Sequence, residues 1–228
     1  ARSIVVAAPA DTSPLMRVNG AILATTIAEY FRDQGLDVLL IVDSLTRFAQ
    51  SQREISLSVG EMPATKGFTP SVFAKISQLV ERSGNGLNGH GSITAFYTVL
   101  IEGDDYNDPI ADHVRSVLDG HIFLSRDLAG AGHYPAIDIE RSISRVMIAV
   151  VNEQQLLCAN KFKKLYSAYM QNKDLINVGM YQLGSDKAID EAINCKSFLE
   201  NYLRQSINEG YGMRESMDHL MNLFQVDR

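Results

Sequence analysis

The run Val38-Leu39-Leu40-Ile41-Val42 ends in the carboxylate of Asp43, and Arg47 follows four residues later. An Asp at the end of a buried parallel strand lies at the carboxyl edge of an open α/β sheet, where ligands of such folds bind. This is the form of a Walker B element, whose carboxylate orders a Mg²⁺ shell and so helps to position β- and γ-phosphates. An Asp in that place is also a good N-cap for the next helix, and the segment alone leaves both roles open. Arg47, at the start of the next element, has a planar fork that suits a phosphate or a carboxylate, so a ligand contact and a structural ion pair both stand.

A second group lies in Gly132-His133-Tyr134-Pro135-Ala136-Ile137-Asp138 and the following Ser142-Ile143-Ser144-Arg145. Pro135 biases Tyr134 towards an extended backbone that could present its ring as a flat stacking surface, though a Tyr also serves as core filler. Arg145 stands between two kinds of sequence, where a residue can reach a neighbouring subunit as an arginine finger or form a local ion pair. The acidic stretch Glu102 to Asp108 does not have EF-hand spacing and reads as a solvated turn. His90 and His133 have no ligand partners at metal spacing, and neither Cys158 nor Cys195 has a neighbouring His or basic cluster. Ser83 to Gly91 is glycine-rich but lacks the Gly-Lys-Ser/Thr ending of a P-loop, so it reads as a flexible loop.

The elements that must hold these groups alternate over the first 147 residues. Ser3 to Ala8 reads as a buried strand, Leu15 to Gln34 as a helix closed by Gly35, and Val38 to Val42 as a central parallel strand covered on both faces. Ser92 to Glu102 and His121 to Ser125 are further strands, and Ser71 to Arg82 and Ile110 to Leu118 further helices. After Met147 the period is helical throughout, over Val151 to Gln171, Asp186 to Ile193, Cys195 to Gln205 and Gly212 to Phe224. The expected organisation is an α/β domain over 1–147 and a small all-α domain over 148–228.

Composition narrows the class. The chain of 228 residues carries 21 basic and 27 acidic side chains, a net charge of -6 that argues against a duplex-binding surface. Apolar residues at 46% exclude disorder as the main state, and no apolar run approaches the roughly 20 residues of a membrane-spanning helix. Two cysteines argue against a disulfide scaffold, and the compartment reads as cytoplasmic. Ala1-Arg2-Ser3 runs straight into Ile4 without an initiator Met, which suggests a piece of something longer.

Three stretches carry a resemblance: VLLIVDSLTRFAQSQREISLSVGEMPATKGFTPSVFAKISQLVERSG, IEGDDYNDPIADHVRSVLDGHIFLSRDLA and GHYPAIDIERSISRVM. They closely resemble the flagellar and type III secretion export ATPases, relatives of the catalytic β subunit of F1 ATP synthase. The resemblance implies part of a RecA-like P-loop NTPase core, beginning after the P-loop and the catalytic Glu, followed by the helical domain. It makes Asp43 the Walker B carboxylate acting on Mg²⁺ through water, and Arg47 the basic residue beside the phosphates. Tyr134 becomes the ring that stacks on the adenine of ATP, and Arg145 the arginine supplied in trans to the adjacent subunit's nucleotide. The family usually has Glu-Arg before Gly-His-Tyr-Pro, where this chain has Gly130-Ala131. Gly184 to Asp190 resembles the turn that faces a central stalk.

What the resemblance implies for function is a homo-hexameric ATPase that energises flagellar or type III protein export by releasing chaperones and unfolding substrates. Its expected partners are the central stalk, a stator or regulator, export chaperones and substrates, and the export gate, with no nucleic acid. Its expected place is cytoplasmic and peripheral to the inner membrane, and the piece alone is expected to be inactive. Two alternatives are a non-catalytic nucleotide-binding subunit of an F1-like ring and a nucleic-acid motor of the Rho or RecA type. The GEMPATKGFTPSVFAKI stretch points to the export branch, and GHYPAID with the acidic charge speaks against the nucleic-acid motor.

Overall fold

A computed structural model of the chain describes residues 3–224. They fall into two compact units, divided between Leu118 and Asp119. In the first unit, Ser13 caps helix α1 (Pro14–Asp33) by accepting from Met16 N, with Pro14 pre-set for the first helical position. Strand β1 (Asp37–Val42) follows, then helices α2 (Leu45–Ser58) and α3 (Pro70–Val80). A short β2 (Gly84–Asn85), strand β3 (Ser92–Tyr97) and helix α4 (Pro109–Val117), capped by Asp108, complete the unit.

The sheet runs β1-β3-β2, with β1 and β3 parallel and in register from Asp37↔Ser92 to Val42↔Tyr97. Its inner face packs Leu40 and Ile93 against Ala28 of α1. A larger core gathers Val18, Leu45, Phe48, Val72, Ile76, Leu79, Ile110 and Val114 from the four helices. The parallel pairing agrees with the apolar run, but the expected cover on both faces does not. Leu39 and Ile41 are 61% and 66% exposed, because their alternate positions point away from α1 and no described element lies over them.

The stretch Ser3 to Ala8 is not a strand in this structure. No described strand pairs with it, and it runs instead beside α1, where Ala8 and Val6 lie next to Gly20. The glycine-rich segment is more ordered than a flexible loop: β2 pairs antiparallel with β3, and Gly86 N donates to Gly91 O. Gly91 has φ +70°, and a Cβ there would meet the Arg32 carbonyl at 2.1 Å, so only glycine lets β3 begin against the end of α1.

The second unit opens with β4 (Gly120–Leu124), the short α5 (Arg126–Gly130) and β5 (Ile137–Ser144), with β4 and β5 antiparallel. The short α6 (Met147–Val150) leads to α7 (Glu153–Asn177), α8 (Lys187–Leu203) and α9 (Met213–Asn222). Asn152 caps α7 and Asp186 caps α8. These helices enclose Phe162, Leu165, Tyr166, Tyr169, Ala192, Leu199 and Leu220. The expected helices at Asp186 to Ile193 and Cys195 to Gln205 form one continuous α8, since nothing between them breaks a helix. Among the described residues, no helix is long and apolar enough to cross a membrane.

Candidate functional site

In the first unit the site is built where β1 turns into α2. Asp43 leaves the carboxyl end of β1 and is exposed, and its Oδ1 accepts a hydrogen bond of 3.0 Å from Thr98 Oγ1. Thr98 follows β3 directly; its N–H donates to Val42 O and its carbonyl accepts from Leu45 N. The two parallel strands are thus stitched together one residue beyond the sheet, with the Asp43 carboxylate held at their common edge. Thr98 carried no signal of its own in the sequence; only the β1–β3 register brings it to Asp43.

The helix cap is a different residue. Ser44 Oγ accepts from Arg47 N at 3.3 Å, and Ser44 is buried at the N-cap of α2. Asp43 is therefore not the side chain that satisfies the first turn. Arg47 is exposed in that first turn and, among the described residues, forms no ion pair. A cation there opposes the positive end of the helix dipole, at a cost of about 0.3–1 kcal/mol that a nearby anion removes. A carboxylate at the sheet edge, a guanidinium one turn away and a helix N-terminus together suit a metal-bound polyphosphate.

The neighbouring acidic turn has structural work instead. Asp105 pairs with Lys66 and accepts from Asn107 N, and Asp108 caps α4. Lys66 holds Asp105 below the usual carboxylate range through a side-chain hydrogen bond.

In the second unit Tyr134 and Arg145 flank β5 at opposite ends. Tyr134 is 58% exposed and borders a cleft of about 290 Å³ shared with Gly132, Arg204, Gln205, Ser206 and Glu209. The core-filler role is excluded by that exposure. The cleft's far wall is the segment after α8, some 70 residues away in sequence, which sequence reading did not connect to Tyr134. It is an open depression rather than an enclosed pocket, and it leaves one face of the Tyr134 ring accessible. His133 beside it is buried, and that burial, followed by the adjacent Arg204 guanidinium, holds its imidazole below the usual range against the opposing pull of Glu200. Arg145 follows the last residue of β5; its N–H donates to Asp119 O at 2.7 Å and its side chain is exposed.

The profile of the ATP synthase alpha/beta family nucleotide-binding domain matches residues 1–144. The chain belongs to the ATP synthase alpha/beta family. A second profile, the type III secretion EscN ATPase C-terminal domain, matches residues 151–222. Within this family the chain is 59% identical over 224 residues to the flagellum-specific ATP synthase of Salmonella typhimurium, covering 98% of this chain and 49% of that protein. The structure of the assembled ATPase EscN from the enteropathogenic E. coli type III secretion system superposes with a TM-score of 0.89 at 46% identity, covering 93% of this chain and 51% of EscN. EscN in complex with its central stalk EscO matches with a TM-score of 0.85 at 44% identity, covering 95% of this chain and 51% of EscN. The chain spans about half the length of the curated relatives it matches. The resemblance to export ATPases and the fold class, part of a RecA-like α/β core followed by a helical region, both hold.

Proposed function

We propose that this chain is the Walker B side and helical domain of an ATPase that hydrolyses ATP to energise protein export through a flagellar or type III secretion apparatus. The observation that carries the reading is the Asp43 carboxylate, held by Thr98 at the carboxyl edge of a parallel pair while Ser44 takes the helix cap. Its residues fit the expected cofactors. An exposed carboxylate with one oxygen oriented by a hydroxyl suits a water-mediated Mg²⁺ contact, and the Arg47 guanidinium in the first turn of α2 suits phosphate. ATP would supply the transferred phosphoryl group and Mg²⁺ the charge neutralisation.

In this reading Tyr134 stacks on the adenine and Arg145 acts in trans on the neighbouring subunit's nucleotide. The ATPase domain runs over 1–147 and the helical domain over 148–228, a division supported by the family matches to 1–144 and 151–222. The active form is a homo-hexamer engaging a central stalk, a regulator, export chaperones and their substrates at an export gate, on the cytoplasmic face of the inner membrane. The names of the relatives, an assembled ATPase and its complex with a stalk, support the ring and the stalk.

The test is Asp43→Asn in the full-length protein. Size and the acceptor for Thr98 remain while the charge goes, so turnover falls by about two orders of magnitude or more with the fold intact. Near-normal turnover in a folded Asp43→Asn enzyme would remove the carboxylate from the chemistry and the reading with it.

A further inference from the structure

The loop that carries Tyr134 is tied to the end of α8 by two hydrogen bonds. Gln205 N donates to the Tyr134 carbonyl at 3.0 Å, and Arg204 Nε donates to His133 Nδ1 at 3.4 Å. The backbone N–H of His133 in turn donates to Leu128 O of α5, so the residue bridges α5 and the end of α8. Only 4% of His133 is exposed, and its buried Nε2 has no hydrogen-bond partner among the described residues. An Nδ1 that accepts from a guanidinium carries no proton, so the ring is neutral with its hydrogen on Nε2.

The unpartnered Nε2 is a cost that an apolar side chain at 133 avoids. What the imidazole supplies, and an apolar residue does not, is the acceptor facing Arg204. We propose that neutral His133 is a positioning residue for Tyr134: by accepting from Arg204 it latches the Tyr134 loop to the end of α8 and fixes the ring at the cleft. The inference rests on the reading of Tyr134 as the base-stacking residue and adds what holds that ring in place. The charged groups that act on His133 are Arg204 and Glu200, both from the α8 end. Protonating Nδ1 removes the acceptor and sets a second positive charge beside Arg204, which breaks the side-chain tie and leaves only Gln205 N on the Tyr134 carbonyl. Burial and Arg204 both resist that protonation, so the latch stays closed until the pH falls below the ordinary histidine range.

The test uses ATP turnover by the full-length protein. His133→Leu raises KM for ATP about tenfold, the fold-change equivalent to a net hydrogen bond of about 1.4 kcal/mol, while kcat stays within about twofold. In His133→Asn, Oδ1 takes the place of Nδ1 as acceptor and KM returns towards wild type. Wild-type KM climbs as the pH falls below the histidine range, whereas that of His133→Asn stays flat. Tyr134→Ala separates the two ideas. An unchanged KM in Tyr134→Ala overturns the stacking reading itself, and a raised KM there with an unchanged KM in His133→Leu overturns the latch alone. A His133→Asn variant no better than His133→Leu also overturns the latch. Ring ¹⁵N shifts of wild-type His133 give a readout independent of any variant's folding: an unprotonated Nδ1 supports the latch, and a proton on Nδ1 at neutral pH overturns it.

Discussion

Replacing Ser44 and Asp43 one at a time separates a helix cap from a functional carboxylate. Ser44 is 4% exposed and its Oγ lies 3.3 Å from Arg47 N, a long bond for a cap. Loss of a Ser cap costs typically about 1 kcal/mol, and a bond of this length belongs to the lower half of the range, about 0.5–1 kcal/mol. Asp43→Asn keeps an acceptor for Thr98 Oγ1 at an exposed position, so its effect on stability stays within about 0.5 kcal/mol. Because the chain forms two compact units, a single global melting curve is a poor readout. Amide exchange within α2 reports on the cap directly, beginning with Phe48 N, which donates to Ser44 O. In Ser44→Ala these amides exchange about two- to fivefold faster, the factor that 0.5–1 kcal/mol of local opening implies. In Asp43→Asn they barely change. Turnover of the full-length protein reverses the order, falling by about 10² or more in Asp43→Asn and only a few-fold in Ser44→Ala. If Asp43→Asn loosens α2 as much as Ser44→Ala does and leaves turnover intact, Asp43 is a structural residue and the division of labour drawn here is wrong.

Four other outcomes follow from the same contacts. Ile76 is fully buried in the first unit's core, so Ile76→Ala costs about 2–5 kcal/mol in denaturant unfolding. Glu61 caps α3 from outside by accepting from Ser71 N and Ser71 Oγ, and those bonds lower its pKa from 4.5. A lowered pKa means stability present above the unfolded value and lost as pH falls through the folded one, so Glu61→Gln unfolds more readily at pH 7 and matches wild type in strong acid. Arg145→Ala in the full-length protein leaves monomer nucleotide binding unchanged and abolishes the activity gained on assembly; mixing it with a P-loop-dead subunit that keeps Arg145 restores turnover, and inactive but verified co-assemblies would make Arg145 structural. The chain alone, without a P-loop nest, shows no ATP turnover, and micromolar Mg-ATP binding with hydrolysis by calorimetry contradicts that.

Elements whose signals are local were legible. The apolar periodicity over Leu15 to Gln34 matches α1, the unbroken apolar run matches β1, and the helical period from Val151 finds the start of α7, whose end at Asn177 lies beyond the expected Gln171. Strand β5 was not legible because its alternation is broken: Asp138 accepts from Glu140 N and Arg141 N, and the register to β4 shifts between His121 and Phe123. Ser92 to Glu102 was read too long, since Thr98 to Leu100 are apolar enough for a strand yet bond to Val42, Leu45 and Thr46 at the turn. For the site, Asp43 and Tyr134 were visible as types in context. Thr98 and the Arg204 to Glu209 wall were not, because they reach the site only through pairing and packing across more than 50 residues.

The irregularity that hid β5 also shapes what the strand does. Four steps of β4, from Gly120 to Leu124, span the same length as the seven steps of β5 from Ser144 to Ile137, about 13 Å at ordinary strand rise. The extra residues are folded into a bend closed by Ser142 Oγ on the Asp138 carbonyl, and Lys163 Nζ of α7 donates to Ser142 O at its outer side. One short element therefore carries Tyr134 beyond one end, Arg145 beyond the other, and a tie to the helical hairpin in its middle. On the roles proposed for them, the ring serves the subunit's own nucleotide and the arginine serves the neighbour's. Phe123 N of β4 donates to the same Ser142 hydroxyl, so the bend that separates these two residues is tied both to β4 and to α7.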